Sequence, residues 1–122
     1  MLGPLPDETE PEVVTMLLAV PELVPTYIRL VEAADGDPGA AAFFEEAADW
    51  VGGLVDRAVG ERATIQRCLT AVEQVARTSP DAEELVGWSF LDGLAPTQRA
   101  ALAPLLGPRT RSIAATVDDP LA

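Results

Sequence analysis

Apolar side chains recur at steps of three and four residues along most of this chain, the spacing that aligns them on one face of an α-helix. The run over 61–78 is the most regular. Its apolar set, predicted to face inward, is Ile65, Cys68, Leu69, Val72, Val75 and Ala76. Its polar set, predicted to face outward, is Arg62, Gln66, Glu73 and Arg77. Apolar and polar residues nowhere alternate between hairpin turns, so we predict no strands.

Two prolines set the bounds of the first helices. Pro11 fits a first helical position, where its missing N–H would have no intrahelical partner in any case, and Pro21 ends that helix. The next helix is predicted to start between residues 22 and 24, because Pro25 fits only in a first turn.

The stretch "ADGDPGA" (34–40) has the composition of a loop. Within it, Asp37 is the predicted N-cap of a third helix over 38–59. Gly52 and Gly53 fall in the middle of that helix, where each costs about 1 kcal/mol relative to alanine. The pair predicts a kink or a close crossing with another helix.

The C-terminal part contains further helix starts and stops. Ser79 is the predicted N-cap of a helix that runs to Leu94. A short helix in "APTQRAALAPLLG" is expected to be interrupted near Pro104 and closed by Gly107, and a last helix opens on Pro108.

Together these elements predict an all-α fold, either a compact single-domain helical bundle or a short solenoid-like stack of about six or seven helices. Residues 10–118 are predicted to form the domain. A flexible acidic lead-in (1–9) precedes it and a tail (119–122) follows it.

The segment "LVGWSFLDGL" (85–94) is apolar over most of its helical wheel. At about 100° per residue, its large apolar side chains cover about two-thirds of the circumference, which is typical of a helix surrounded by others. We therefore expect Trp88 and Phe90 to be buried, with Gly87 and Gly93 allowing close approach of a neighbour. The alternative is that Trp88 faces a partner, since tryptophan is enriched in interface hot spots.

Charge narrows the range of partners. The chain has 20 acidic and 8 basic side chains, all of the latter Arg, for a formal net charge of −12. Residues 1–61 carry a net −11 (13 acidic, 2 basic), and residues 62–122 a net −1 (7 acidic, 6 basic). Nucleic acid and anionic membranes require Lys/Arg-lined surfaces, so neither is expected as a partner, whereas a basic protein is. Alternatively, the acidity only maintains solubility.

The chain offers little for catalysis. Histidine is absent, which removes the commonest general base and metal ligand. Cys68 has no activating His and lies on a predicted inner face, so we expect a structural thiol. The stretch "DGDPGAAAFFEE" lacks the central ligands of a calcium loop, and no glycine-rich phosphate loop occurs. We predict neither an enzyme nor a cofactor or metal site.

One cysteine, the lack of a signal-peptide pattern and the lack of an apolar run of about 20 residues together predict a cytoplasmic protein.

Carboxylates supply the candidate site. The predicted partner-binding residues are Asp35, Asp37, Glu45, Glu46, Asp49 and Asp56. No basic residue lies between the first and the last of them, and Glu45, Asp49 and Asp56 share one stripe of the predicted third helix. A solvated face is the simpler interpretation. The functional one is an anionic patch that docks on a cationic cleft.

Two short motifs suggest a family. The "SFLDGL" of 89–94 and the "LLGPRTR" of 105–111 resemble small helical bacterial proteins with a "sFLe.L" helix followed by "LGp.lr", some of them thought to be immunity proteins of polymorphic toxin systems. The resemblance covers about 30 residues, and this chain departs from it at Asp92 and in its Ala/Pro-rich spacer. It implies an all-helical fold and toxin neutralisation.

Two functions follow as hypotheses. The first is a small acidic binding module that neutralises or sequesters a basic protein, which in the immunity-like case is a toxin. The second is an accessory or scaffold protein of a biosynthetic or regulatory complex that binds through apolar helical surfaces.

Overall fold

The computed structural model of the protein describes residues 10–57 and 61–118. Within these ranges lie seven α-helices and no strand, which confirms the predicted all-α fold. The helices are α1 (Pro11–Ala19), α2 (Val24–Ala34), α3 (Ala40–Arg57), α4 (Arg62–Ala76), α5 (Pro80–Leu85), α6 (Pro96–Leu102) and α7 (Pro108–Asp118). The connections include two 3₁₀ turns, Pro21–Leu23 and Ala103–Leu105, and a π-helical segment, Val86–Leu91. The predicted lead-in (1–9) and tail (119–122) lie outside the described residues.

Proline marks most of the helix starts. α1, α5, α6 and α7 each begin with proline, whose fixed φ suits the first turn and whose missing N–H costs nothing there. Ser79 caps α5 as predicted, because its Oγ accepts the Ala82 N–H at 3.1 Å. Pro104 lies in the second 3₁₀ turn, after α6 has ended at Leu102.

The loop before α3 differs from the prediction. Asp37 is not the N-cap of α3: its Oδ1 accepts the Gly39 N–H at 2.9 Å, which closes a turn inside the loop. Gly39 has φ of 88°, a left-handed conformation that cannot continue into a helix and that favours glycine. The helix therefore starts at Ala40 rather than at 38.

α3 continues unbroken through its two glycines. A Cβ added at Gly52 would lie 2.8 Å from Oε1 of Gln98 on α6, whereas one at Gly53 would meet nothing within 4 Å. The pattern at 52–53 thus marks a close crossing with α6, the second of the two outcomes predicted for it. The predicted end of this helix, at 59, falls among residues 58–60, which are not described.

The core lies where α3 packs on α1, α4 and the π-helical segment. Its aromatic centre is formed by α2 and α3. The ring of Phe43 packs edge-to-face on Tyr27, with centroids 5.9 Å apart, and on Phe44 at 5.6 Å. Such pairs add about 0.5–1.5 kcal/mol beyond area burial. The inner side of α3 is packed in the core from Ala40 to Leu54.

Trp88 is not in the core. Phe90 is fully buried, as predicted, but Trp88 is 56% exposed. The segment contains a π turn, in which the Asp92 N–H donates to the Gly87 carbonyl, five residues back, at 3.0 Å. Even at α-helical spacing, residues 88 and 90 point about 160° apart, so a segment that buries Phe90 on its inner side directs Trp88 towards the surface.

The glycines that flank the aromatic pair do allow close packing. A Cβ at Gly87 would lie 3.0 Å from Cγ2 of Ile113 on α7, and one at Gly93 would lie 3.1 Å from Cβ of Ala48 on α3. Both neighbours are side chains of other helices. The π-helical segment is thus packed between α3 and α7.

Candidate partner-binding surface

The outer side of α3 is acidic along its length. Glu45, Asp49 and Asp56 lie within about 40° of one another at 100° per residue, and all three are exposed. Val51 and Leu54, on the other side of the helix, are buried. The predicted stripe is confirmed as a solvent-facing line of carboxylates about 16 Å long at 1.5 Å per residue.

The remaining predicted residues flank this stripe. Glu46 is exposed on the same helix, and Asp35 and Asp37 are exposed in the loop that leads into it. Asp35 ends α2 in a left-handed conformation, with φ of 54°. Together with the stripe, these residues form a surface that we call the α3 acidic face: Asp35, Asp37, Glu45, Glu46, Asp49 and Asp56.

None of these carboxylates forms an ion pair with another described residue. Asp37 is used by its own loop turn. Asp56 accepts a hydrogen bond from Nε2 of Gln98, at 3.1 Å, which ties the end of α3 to α6. Glu45, Glu46 and Asp49 have no hydrogen-bond partner in the described ranges. The face therefore keeps its negative charge towards solvent.

Three arginines are engaged at the ends of helices other than α3. Nη1 of Arg67 on α4 donates to the carbonyl of Ala19 at 3.2 Å and to Oε1 of Glu22 at 3.0 Å. The carboxylate of Glu22 accepts hydrogen bonds from this guanidinium. They lower the pKa of Glu22 to about 2. One arginine thus satisfies a carbonyl at the end of α1, a group left over by the helix itself.

Two more arginines serve in the same way. Nη1 of Arg99 donates to the carbonyls of Leu91 (3.0 Å) and Leu94 (2.6 Å), where the π-helical segment ends. Nη2 of Arg111 donates to the carbonyl of Leu106 at 3.1 Å. Cations at helix C-termini are stabilising because they oppose the partial negative charge there. Three of the eight arginines therefore hold helix ends together.

The prediction that Glu73 lies on the outer face of its helix is wrong. Its side chain is only 12% exposed, because it reaches the first turn of α7. Its Oε1 accepts the Thr110 N–H (2.9 Å) and hydroxyl (2.8 Å), and its Oε2 accepts the Arg109 N–H (3.1 Å). Glu73 therefore caps a helix 36 residues further along the chain.

The electrostatics of Glu73 follow from this position. Partial burial pushes its pKa up, but hydrogen bonds from Thr110 and Arg109 and the charge of Arg77 together hold the pKa below its ordinary value. The sequence gives no local signal that identifies Glu73 as this cap. Gly107, which precedes Pro108, is an acceptable N-cap residue but has no side chain that could accept a hydrogen bond.

A second surface feature is a shallow groove of about 270 Å³ between α5, the π-helical segment and α7. The indole of Trp88 and the half-buried Ile113 and Val117 supply its apolar lining, and Glu83 and Glu84 its acidic side. We call this the Trp88 groove. It is consistent with the alternative prediction for Trp88, a position that faces a partner.

Cys68 is fully buried, and burial raises the pKa of its thiol to about 12. In the described ranges, no three His, Cys, Asp or Glu side chains are grouped so as to hold a metal ion. In the same ranges no single helix has the length and apolar content to cross a membrane. The segments Pro11–Ala19 and Pro21–Ala34 meet that requirement only jointly, across a 116° bend.

Comparison with protein-family models, with curated proteins and with solved structures finds no match to this chain. Its function therefore has to be inferred from the chemistry and geometry of its surface.

Proposed function

We propose that this chain is a small acidic binding module that docks on a basic protein through the α3 acidic face and so neutralises or sequesters it. The observation that carries the proposal is the separation of charge. Carboxylates without ion-pair partners among the described residues line α3, while five arginines are engaged at other helix ends or with other carboxylates. These are Arg67, Arg77, Arg99, Arg109 and Arg111.

This separation of charge affects the rate of association with a partner more than the final affinity. A rigid line of like charges steers an oppositely charged partner during diffusion, and it suppresses acidic partners. Because the inner side of α3 is fixed in the core, its carboxylates are presented without further ordering of the backbone. An immunity-like protein that covers a basic toxin is the concrete form of this function.

A paired capture experiment tests the proposal. The wild-type protein and a face variant, Glu45→Gln/Glu46→Gln/Asp49→Asn, are immobilised and exposed to cell extract at low and high salt. A matched control, Glu32→Gln/Asp81→Asn/Asp92→Asn, removes three exposed acids elsewhere on the described surface. The proposal expects a basic protein that the wild type and the control retain at low salt and that the face variant releases. Equal retention by all three proteins would refute it.

The second candidate is an accessory or scaffold protein that binds through apolar helical surfaces. The exposure of Leu18 (77%) on α1 and of Trp88 (56%) favours it. Here salt would have little effect on capture, because apolar contacts are not screened by ions. Leu18→Ser or Trp88→Ser would then release the partner that the face variant still holds.

A further inference from the structure

We propose that the Trp88 groove binds a cationic, amphipathic segment of a partner protein, with an arginine guanidinium stacked on the indole and an apolar side chain against α7. This deepens the proposed function and rests on it for one premise, that the partner is basic. It adds a second contact surface, with its own residues and its own chemistry.

The exposure of Trp88 is the first indication. In the described part of the chain, the large apolar side chains exposed to solvent are Leu18, Ile28 and Trp88, and of these three Trp88 alone lines the groove. Fully buried Phe90, two residues further on, shows that this helix does bury its other aromatic ring. Tryptophan is among the residues most enriched in interface hot spots.

The charge of the groove is the second indication. Glu83 is paired with Arg109 at 3.2 Å, whereas Glu84 is exposed and has no ion pair with another described residue. The other wall of the groove includes Thr116 and Val117, in the last turn of α7, where the helix dipole is negative. An acidic segment would be repelled here, and a cation would be attracted.

The indole of Trp88 and the carboxylate of Glu84 together favour arginine as the bound side chain. A cation over an indole face is attracted by the ring quadrupole, and more strongly so when it is partly desolvated. Arginine suits this groove better than lysine, because its planar guanidinium stacks on the ring and can pair with a carboxylate such as Glu84 at the same time. Ile113 and Val117 can contact a neighbouring apolar side chain of the partner.

The probe is an amphipathic Arg/Leu peptide of about four helical turns. A second peptide carries citrulline in place of each arginine, which keeps the shape and removes the charge, and a third carries serine in place of each leucine. Binding is measured by fluorescence in a Trp50→Phe background, so that emission reports Trp88 alone. We expect the Arg/Leu peptide to change that emission and to bind at least about tenfold more tightly than either substituted peptide.

Calorimetry with the same peptide then compares variants of the groove. Trp88→Ala is expected to weaken binding by at least about tenfold, as is typical of a hot spot. Glu84→Gln should weaken it by a few-fold. The matched controls Leu18→Ala and Asp81→Asn remove an exposed apolar group and an exposed acid that do not line the groove, and they should bind as the wild type does. Circular dichroism confirms that each variant is folded.

Three outcomes overturn the groove proposal: equal peptide binding by Trp88→Ala and the wild type, equal binding of the citrulline peptide, or self-association in sedimentation velocity that Trp88→Ala abolishes. The last would assign the groove to a second copy of this chain. The face variant Glu45→Gln/Glu46→Gln/Asp49→Asn separates the two proposals. If it captures as the wild type does while Trp88→Ala loses the peptide, the α3 acidic face has failed and the groove stands.

Discussion

The cap that Glu73 provides for α7 gives the sharpest prediction about stability. Glu73→Ala removes the acceptor of two N–H groups and one hydroxyl and leaves α7 without a cap in its first turn. Thr110 is fully buried, so its hydroxyl loses its partner away from solvent. The variant therefore perturbs the packing of the C-terminal helix without touching the apolar core.

The magnitude follows from two terms. Loss of a helix N-cap costs about 1 kcal/mol, and a buried polar group left without a partner costs about 1–3 kcal/mol. The ion pair with Arg77, which is 62% exposed, adds little because exposed pairs contribute under about 1 kcal/mol. We expect Glu73→Ala to lower the free energy of unfolding by about 2–4 kcal/mol.

The cap also makes the free energy of unfolding depend on pH, and the lowered pKa of Glu73 sets the direction of that dependence. The pKa of Glu73 is lowered in the folded state, so its ionised form contributes stability at neutral pH. That contribution is lost as the pH falls below the ordinary glutamate value of about 4.3 and through the lower folded pKa. The stability difference between the wild type and Glu73→Gln should therefore shrink on acidification.

Urea unfolding followed by far-UV circular dichroism measures these effects. With a slope of about 2 kcal/mol per molar urea, the midpoint should fall by about 1–2 M in Glu73→Ala and by less in Glu73→Gln, which keeps one acceptor oxygen. Glu32→Ala, an exposed acid on α2, is the control and should stay within about 0.5 kcal/mol. A Glu73→Ala midpoint equal to that of the wild type would refute the cap.

Three further predictions test two packing contacts and one ion pair. Gly107→Ala should destabilise, because its Cβ would lie 2.5 Å from the carboxylate of Glu73, and in urea titrations the loss should be less than additive with Glu73→Ala. Phe90→Ala should cost about 3–5 kcal/mol and Trp88→Ala under about 1 kcal/mol; equal losses in calorimetric unfolding would contradict the assigned burial. Glu22→Gln loses a carboxylate with a pKa of about 2, so its stability should fall less than that of the wild type between about pH 4.3 and 2. An unchanged fall in stability over this pH range would argue against the ion pair of Glu22 with Arg67.

Local signals in the sequence are sufficient for most of the fold. Proline at a first helical position and Ser79 before Pro80 are read directly from the chain, because a helix start depends on neighbouring residues alone. The carboxylate stripe of α3 is also predictable, since α-helical spacing alone determines which residues share its outer side.

Two features need the three-dimensional structure. The wide apolar arc of the helical wheel suggests that Trp88 is buried, but it does not show which part of that arc other helices cover. The periodicity of α4 places Glu73 on an outer face, because it cannot reveal an acceptor role that depends on α7. Both errors arise because burial and capping depend on which neighbouring helix covers a position, and the local pattern does not contain that information.

Electrostatic capture of a basic partner by the α3 acidic face is tested most directly by an association rate constant. It is measured with the captured protein in stopped flow from about 0.01 M to about 1 M salt, over which the Debye length falls from about 30 Å to about 3 Å. We predict that the rate falls steeply with salt for the wild type and for the Glu32→Gln/Asp81→Asn/Asp92→Asn control, and that at low salt it is about tenfold lower for the face variant. A rate constant that neither salt nor the face variant changes would contradict electrostatic capture.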